Sequence, residues 1–367
     1  MVNRFFNTSG PIKRDIHYYI DPLDRMKLNE IQMLLDQSKY FMLHAPRQSG
    51  KTTYLYALTD YLNQQGAYKC LYINIEAAES AGEKVKKAMR TIIETMANQA
   101  YHTLNDPFLK DNWEKIFESS SEFSVIHEIL SLWCKQNKKP IVVCIDGTDS
   151  LIGDTLISVL RQLRSGFINR PDSFPQSVIL CGVRDVRDYR MYSNKDKAII
   201  TGGSPYNINA ATLKLEDFIP HQIEKLYQQH TKETGQKFNK EVFSLVWELT
   251  EGQPWLVNAL ADEACFKMDE GRDRRNEITT DMIQQAKENL ILRCEKHLAQ
   301  LADLLKEERV QRVIDPLISE TQVFRHNIKV DDIDYAIEFG LLKKERGGLR
   351  ISNRIYKEMI FRELKGA

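Results

Sequence analysis

Four short apolar runs most constrain the fold of this chain of 367 residues. They are uninterrupted rather than alternating, as in strands that are covered on both faces of a parallel sheet. The runs are "YFMLHA" at 40–45, "CLYINI" at 70–75, "IVVCI" at 141–145 and "VILCGV" at 178–183. Helical patterns lie between them, for example "KTTYLYALTDYLNQQG" and "SEFSVIHEILSLWCKQN". This alternation predicts a doubly wound α/β domain.

The pattern changes after about residue 213, where one segment with helical periodicity follows another. The tail then combines "KVDDIDYAIEFGLL", a helix that runs into a turn, with "LLKKERGGLRIS", two short strands around a Gly-Gly pair. We therefore predict three parts: an α/β core with its lead segment at 1–212, a helical lid at 213–305 and a winged-helix-like domain at 306–367.

The charge and hydropathy of the chain argue against nucleic acid and membrane lipid as its main partners. Lys+Arg and Asp+Glu are equal at 51 each, so no global field draws nucleic acid or anionic lipid to the chain. No run approaches the roughly 18 apolar residues that span a bilayer, and the N-terminal residues lack the apolar core of a signal peptide. These features predict a cytoplasmic protein without membrane attachment.

The strongest chemical signal is "HAPRQSGKTT" at 44–53, between a predicted strand and a predicted helix. In that context a G-x-x-x-x-G-K-[ST] loop surrounds phosphates with backbone N–H groups and a helix N-terminus. Ala45 replaces the first glycine, whereas Gly50, where a side chain would collide with phosphate, is retained. Lys51 would reach the β and γ phosphates of ATP, and Thr52 would hold Mg²⁺. The expected phosphate contacts come from Ala45, Pro46, Arg47, Gln48, Ser49, Gly50, Lys51, Thr52 and Thr53.

Asp146 ends the third apolar run and is predicted to be the second magnesium ligand, because ligands collect at the carboxyl ends of parallel strands. The alternative is a cap for the following helix, a task that suits Asp149 or Ser150 equally well. Such an aspartate is usually followed by a glutamate that activates water, and here Gly147 follows. A general base contributes about 10² to 10⁴ in rate, so hydrolysis is expected to be weak or absent unless Asp149 or Glu76 substitutes. A glutamate placed at position 147 is expected to raise turnover.

The order of these motifs, with "GSPYNI", "TEGQPWLVN" and "LRISNRIYKEMI" after them, resembles the AAA-like ATP-binding proteins of the STAND branch of P-loop NTPases. These are relatives of the archaeal ATPases and the Orc/Cdc6 proteins, and the resemblance extends over nearly the whole chain. It implies a P-loop NTPase sheet of the ASCE/AAA+ type and a nucleotide held between core and lid.

The resemblance also implies roles for single residues. Pro254, in the "GQP" motif, is expected near the adenine. Arg184 follows the fourth run and is either a sensor of the γ-phosphate or a surface arginine. Lys51, Asp146 and Arg184 are then the residues that serve catalysis. His17 and the two tyrosines after it occupy the segment that approaches the base in this family, and a packing role is equally open.

Three functions follow from these features. The first is an ATP-dependent switch that acts on a protein partner or on a second copy of the chain. The second is an Orc-like DNA-binding protein that uses ATP as a structural cofactor, supported by the locally basic stretch at 343–365. The third is a slow ATPase.

Overall fold

The computed structural model describes residues 4–183, 190–193, 198–201, 207–293, 296–318, 328–345 and 348–365. The chain divides into two compact units. The α/β unit comprises Met26–Ala45 and Lys51–Leu215, and the helical unit comprises Met1–Arg25, Pro46–Gly50 and Glu216–Ala367. The lead segment thus groups with the helical unit, although its position in the sequence predicts it to be part of the core. The division into three domains stays a prediction.

The strands and helices are as follows. The strands are β1 (Phe5–Phe6), β2 (His17–Tyr18), β3 (Tyr40–His44), β4 (Lys69–Asn74), β5 (Ile141–Asp146), β6 (Ser177–Gly182), β7 (Arg190–Ser193), β8 (Ala198–Thr201), β9 (Asn209–Lys214), β10 (Leu342–Glu345) and β11 (Gly348–Ile351). The helices are α1 (Leu28–Asp36), α2 (Lys51–Gln65), α3 (Val85–Leu104), α4 (Phe108–Ser119), α5 (Val125–Gln136), α6 (Gly153–Gly166), α7 (Pro220–Thr234), α8 (Lys240–Thr250), α9 (Pro254–Asp262), α10 (Asp269–Arg272), α11 (Thr280–Leu292), α12 (Lys296–Leu304), α13 (Glu308–Ile318), α14 (Val330–Glu338) and α15 (Arg354–Lys365). Within the described ranges, no helix combines the length and apolarity that crossing a bilayer requires.

A parallel five-stranded sheet in the order β4-β5-β6-β3-β9 forms the centre of the α/β unit. Its strands β3 to β6 coincide with the four apolar runs, which confirms the predicted α/β class. The edge strand β9 was not predicted, because its partly exposed sequence "NAATLK" contains no apolar run. Strand β6 pairs with both β3 and β5, so the strand expected to carry a sensor lies between the loop strand and the Asp146 strand.

Buried side chains of the sheet and of α3, α5 and α6 form one continuous core in this unit. Met89, Ile93, Trp133 and Leu160 belong to it, and each is nearly inaccessible to solvent. Each helix therefore presents one apolar face to the strands, as amphipathic helices in a layered domain do. The carboxyl ends of β3 and β5 are left free to carry polar groups.

The helical unit has its own core, built mainly from α7 to α15 with the parallel pair β1-β2. The "GQP" motif has a clear structural role here because it begins α9. Gly252 has φ +79, and a Cβ at this position would lie 1.9 Å from the carbonyl oxygen of Phe218, so only glycine fits. Gln253 caps the helix by accepting a 2.6 Å hydrogen bond from the N–H of Leu256, and Pro254 is the first helical residue.

The C-terminal elements of this unit are α14, the antiparallel pair β10-β11 and α15. The helix α14 and the strand pair follow each other as the sequence predicts, whereas α15 was not predicted. Gly340, with φ +80, turns the chain between α14 and β10. The assignment of these elements as a winged helix stays a prediction.

Candidate functional site

The loop at 45–50 joins β3 to α2, so the expected phosphate-binding segment lies between a strand and a helix N-terminus. Gln48 and Gly50 both have positive φ, +61 and +87. This backbone region costs a non-glycine residue about 1–2 kcal/mol, so the tertiary structure imposes the loop conformation at Gln48. Arg25 donates a 2.6 Å hydrogen bond to the carbonyl oxygen of Ser49, and a Cβ on Gly50 would lie 2.9 Å from the same guanidinium.

The segment Pro46–Gly50 belongs by its contacts to the helical unit. The guanidinium of Arg47 lies 5.6 Å from the ring centre of Phe339, at the end of α14. Pro46 packs so closely on Gly340 that a Cβ at Gly340 would be 2.8 Å from the Cβ of Pro46. The expected phosphate loop therefore touches the turn between α14 and β10.

Asp146 is buried, with 4% of its surface exposed, and its carboxylate accepts three hydrogen bonds. Oδ2 accepts from the hydroxyl of Thr52 at 2.6 Å and from the hydroxyl of Tyr72 at 3.0 Å, and Oδ1 accepts from the N–H of Gly147 at 3.0 Å. Burial and the charge of Asp146 raise the pKa of Tyr72 far above its usual value, so this hydroxyl stays protonated and donates. Tyr72 was not predicted, although a tyrosine in a buried strand usually needs a polar partner.

Thr52 and Asp146 therefore lie together as the motif predicts, and both supply the oxygen atoms that Mg²⁺ prefers. Lys51, in the first turn of α2 with Thr52 and Thr53, donates a 2.8 Å hydrogen bond to the carbonyl oxygen of Ala45. The residues at this edge of the sheet fit a magnesium–phosphate group. The N-cap residue of α6 is Ile152, and the Asp146 carboxylate accepts hydrogen bonds from Thr52, Tyr72 and Gly147 rather than from the first turn of that helix.

Gly147 has φ +78, and a Cβ built on it would lie 2.6 Å from Cγ of Glu76. A glutamate at this position would therefore meet both an unfavourable backbone conformation and an occupied volume. The expected gain in turnover from such a change requires that Glu76 first moves away. The turn that follows β4 places Cγ of Glu76 close to the position where the missing side chain would start.

The remaining residues for which the family resemblance implies a role are Arg184, Pro254 and the segment that begins at His17. Arg184 lies outside the described residues. Pro254 is buried at the start of α9, and its contact with a base stays a prediction. Tyr18 is fully buried with its hydroxyl 3.3 Å from Nδ1 of His230, which favours the packing role for this segment.

Four basic residues of the C-terminal stretch are engaged in ion pairs. Arg350 holds both carboxylate oxygens of Glu251, at 2.5 and 2.6 Å. The other ion pairs join Arg354 to Glu248, Arg362 to Glu288, and Lys343 to Asp217. These acids reduce the positive charge available for nucleic-acid phosphates.

A parallel sheet in this strand order, with a phosphate-type loop after one strand and a buried aspartate at the end of another, defines a P-loop NTPase fold. The sequence pattern of the AAA-like domain family matches residues 7–362, and the chain belongs to that family.

The chain is similar to many solved structures, among them the following two. A Walker-type ATPase of Pyrococcus abyssi superposes with a TM-score of 0.60 at 12% identity, covering 97% of this chain and 99% of its own. Cdc6p from Pyrobaculum aerophilum gives a TM-score of 0.50 at 13% identity, covering 98% of this chain and 97% of its own. At these identities the similarity shows the fold alone. No curated protein sequence matches the chain.

Proposed function

We propose that this AAA-like protein is an ATP-dependent switch. Three features support nucleotide binding: the loop before α2, the position of Lys51 in the first turn of that helix, and the 2.6 Å contact between Thr52 and Asp146. Lys51 would bind the β and γ phosphates, and Thr52 and Asp146 would hold Mg²⁺, which neutralises charge on those phosphates.

The observation that carries the switch is the contact of the loop with the turn after α14. Within the helical unit, Pro46 packs on Gly340 and the guanidinium of Arg47 lies 5.6 Å from the ring centre of Phe339. Phosphate bound to the loop N–H groups would favour one loop conformation over others. A change in that conformation would act directly on the contacts that Pro46 and Arg47 make with the turn after α14.

The finer parts of the proposal follow from the family resemblance. They are membership of the STAND branch, a base contact by Pro254, a γ-phosphate contact by Arg184, a cytoplasmic location, and an output to a protein partner or a second copy. Release of nucleotide, or slow hydrolysis, would reset the switch.

Hydrogen exchange with and without ATP and Mg²⁺ tests this proposal. ATP should slow amide exchange in two separated segments, 46–53 in the loop and 339–342 after α14, and it should raise the melting temperature. A ligand at 100 times its Kd stabilises the native state by about 2.7 kcal/mol. Lys51→Ala should abolish both effects, because it removes the phosphate-binding amine.

Lys115→Ala is the matched control, since this lysine is exposed on α4. It should leave the response to ATP unchanged. Protection of 46–53 without any change at 339–342 would show nucleotide binding that does not reach α14, and the switch would then be rejected. An absent response at both segments would reject nucleotide binding itself.

A further inference from the structure

Strands β4 and β5 are neighbours, and their register sets Asn74 beside Asp146. The chain continues past β4 in step with β5, because the N–H of Ile75 donates a 3.0 Å hydrogen bond to the carbonyl oxygen of Asp146. Glu76 and Gly147 therefore come next to each other just beyond the sheet edge. Cγ of Glu76 lies 2.6 Å from the position of a Cβ on Gly147. The Glu76 side chain fills the volume in which a side chain of residue 147 would begin.

The backbone of Glu76 is fixed by a hydrogen bond to the last residue of β4. Oδ1 of Asn74 accepts a 2.8 Å hydrogen bond from the N–H of Glu76, which begins the 3₁₀ turn Glu76–Ala81. The carboxylate end is different: Glu76 is exposed, and within the described ranges its carboxylate makes no hydrogen bond and no ion pair. A carboxylate with a fixed backbone and free oxygens is suited to bind a water molecule.

Gly147 also has a left-handed backbone that excludes most side chains, whereas Glu76 needs no such conformation. Because residue 147 is a glycine and has no side chain, the space beside it is free for the side chain of Glu76. In the family pattern the water-activating glutamate starts from the position of residue 147. Here the side chain of Glu76 reaches that same volume from the 3₁₀ turn that follows the adjacent strand.

We propose that Glu76 is the catalytic residue that activates water for ATP hydrolysis in this chain, and this inference rests on the ATP binding proposed above. Glu76 accepts a proton from water as the water oxygen bonds to the γ-phosphorus. The bond from the γ-phosphorus to the β–γ bridging oxygen breaks, and that oxygen leaves with ADP. The proton then passes from Glu76 to solvent, and the products are ADP and inorganic phosphate.

Steady-state turnover at saturating ATP, together with equilibrium binding of ATP, tests the inference. Glu76→Gln should lower kcat at least tenfold, a cautious share of the general-base effect of about 10² to 10⁴. ATP affinity should be nearly unchanged, because a general base acts on water in the transition state and contributes little to ground-state binding. This separation of kcat from affinity would not result from a purely structural role.

Two single variants are the controls. Glu79→Gln changes the next acid in the same 3₁₀ turn and should leave kcat at the unmodified level. Asp149→Asn removes the competing acid that follows Gly147 in sequence and should also leave kcat unchanged. A loss in Asp149→Asn with full activity in Glu76→Gln would overturn the inference.

A double variant supplies a rescue. Glu76→Ala should lower kcat as Glu76→Gln does, and it vacates the space beside Gly147. Adding Gly147→Glu should then recover at least part of the lost kcat, since the new carboxylate starts from the freed volume. Melting curves of both variants check that they fold, and ATP binding serves as a readout that is independent of turnover.

The outcomes separate this inference from the proposed function. If the unmodified protein does not bind ATP, the proposed function fails and the inference fails with it. If ATP binds but turnover does not exceed that of Lys51→Ala, or if Glu76→Gln keeps full turnover, only the inference is overturned. Binding with turnover that depends on Glu76 supports both.

Discussion

At the residue scale, the neighbours Asp146 and Gly147 differ in what the structure requires of them. Position 146 needs a side chain that accepts hydrogen bonds, and position 147 needs a residue that tolerates a positive φ. Asp146 is buried and needs the donors of Thr52, Tyr72 and its own neighbour to offset the loss of water. Gly147 supplies one of those donors through its N–H, and its positive φ directs the chain away from β5 toward the 3₁₀ turn Thr148–Ser150. A side chain at 147 would meet an unfavourable backbone conformation and the side chain of Glu76.

We therefore expect Gly147→Ala to destabilise the protein more than Gly66→Ala. The two glycines have nearly equal φ, +78 and +77, so both variants carry the backbone penalty of about 1–2 kcal/mol. Only Gly147→Ala adds a close contact, 2.6 Å to Cγ of Glu76, whereas the nearest atom at Gly66 is the end of a lysine at 3.6 Å. Urea unfolding of both variants measures the difference. Equal losses of unfolding free energy in the two variants would show that the Glu76 side chain moves aside without a measurable cost.

At the element scale, His297 on α12 illustrates how packing of helices changes a side chain. Its ring lies 4.9 Å from that of Trp255 on α9, and its Nε2 is 2.8 Å from the hydroxyl of Tyr356 on α15. Burial among these helices lowers the pKa of His297 to about 4. The native packing of the helical unit therefore favours the neutral form of the His297 imidazole.

This depressed pKa predicts a loss of stability in mild acid. His297 has a pKa of about 6.5 when unfolded, so its contribution is fully present above about pH 6.5 and is lost progressively as the pH falls toward 4. Between about pH 7.5 and 5 the linkage relation gives a loss of about 2 kcal/mol. Urea unfolding at both pH values should show that His297→Phe removes this part of the pH dependence. The lost Tyr356 contact affects both pH values alike and cancels in the comparison.

Burial also lowers the pKa of His17 and of His230, and these residues remain in both proteins. The difference between the two pH dependences therefore isolates His297. If the variant loses as much stability between the two pH values as the unmodified protein does, the neutral histidine is not a source of acid sensitivity.

At the scale of the whole molecule, charge balance bears on the choice of partner. The formal net charge is zero, and four basic residues of the C-terminal stretch pair with acids from elsewhere in the helical unit. The sequence alone makes this stretch look like a basic surface, because the acids lie far away along the chain. Tertiary structure brings them together and weakens the DNA-binding alternative.

We expect no saturable binding of a labelled DNA duplex at about 150 mM salt, where non-specific binders typically show a Kd of 10⁻⁴ to 10⁻⁶ M. Fluorescence anisotropy over a range of salt concentrations measures this. Glu251→Gln tests the reason, because it removes an acid that pairs with both Arg350 and Lys343. Any DNA binding at low salt should increase in that variant. Tight binding by the unmodified protein with a steep salt dependence would contradict the expectation and restore the DNA-binding alternative.

Much of the fold followed from local pattern. The four continuous apolar runs are the strands β3 to β6, because a strand covered on both faces must be apolar throughout. The edge strand β9 lacks that requirement and was missed. The loop at 45–53 and Asp146 were predicted from residue types whose chemistry is local, and the structure brings Thr52 and Asp146 within 2.6 Å.

Tertiary structure alone decided the contacts between residues distant in the chain. Tyr72 and Glu76 reach Asp146 and Gly147 because β4 and β5 pair in a particular register, which no short stretch of sequence specifies. Likewise, the contact of Pro46 with Gly340 and the burial that lowers the pKa of His297 depend on packing of separate elements. Residue types and periodicity determine which elements form, whereas the neighbours of each side chain depend on how those elements come together in space.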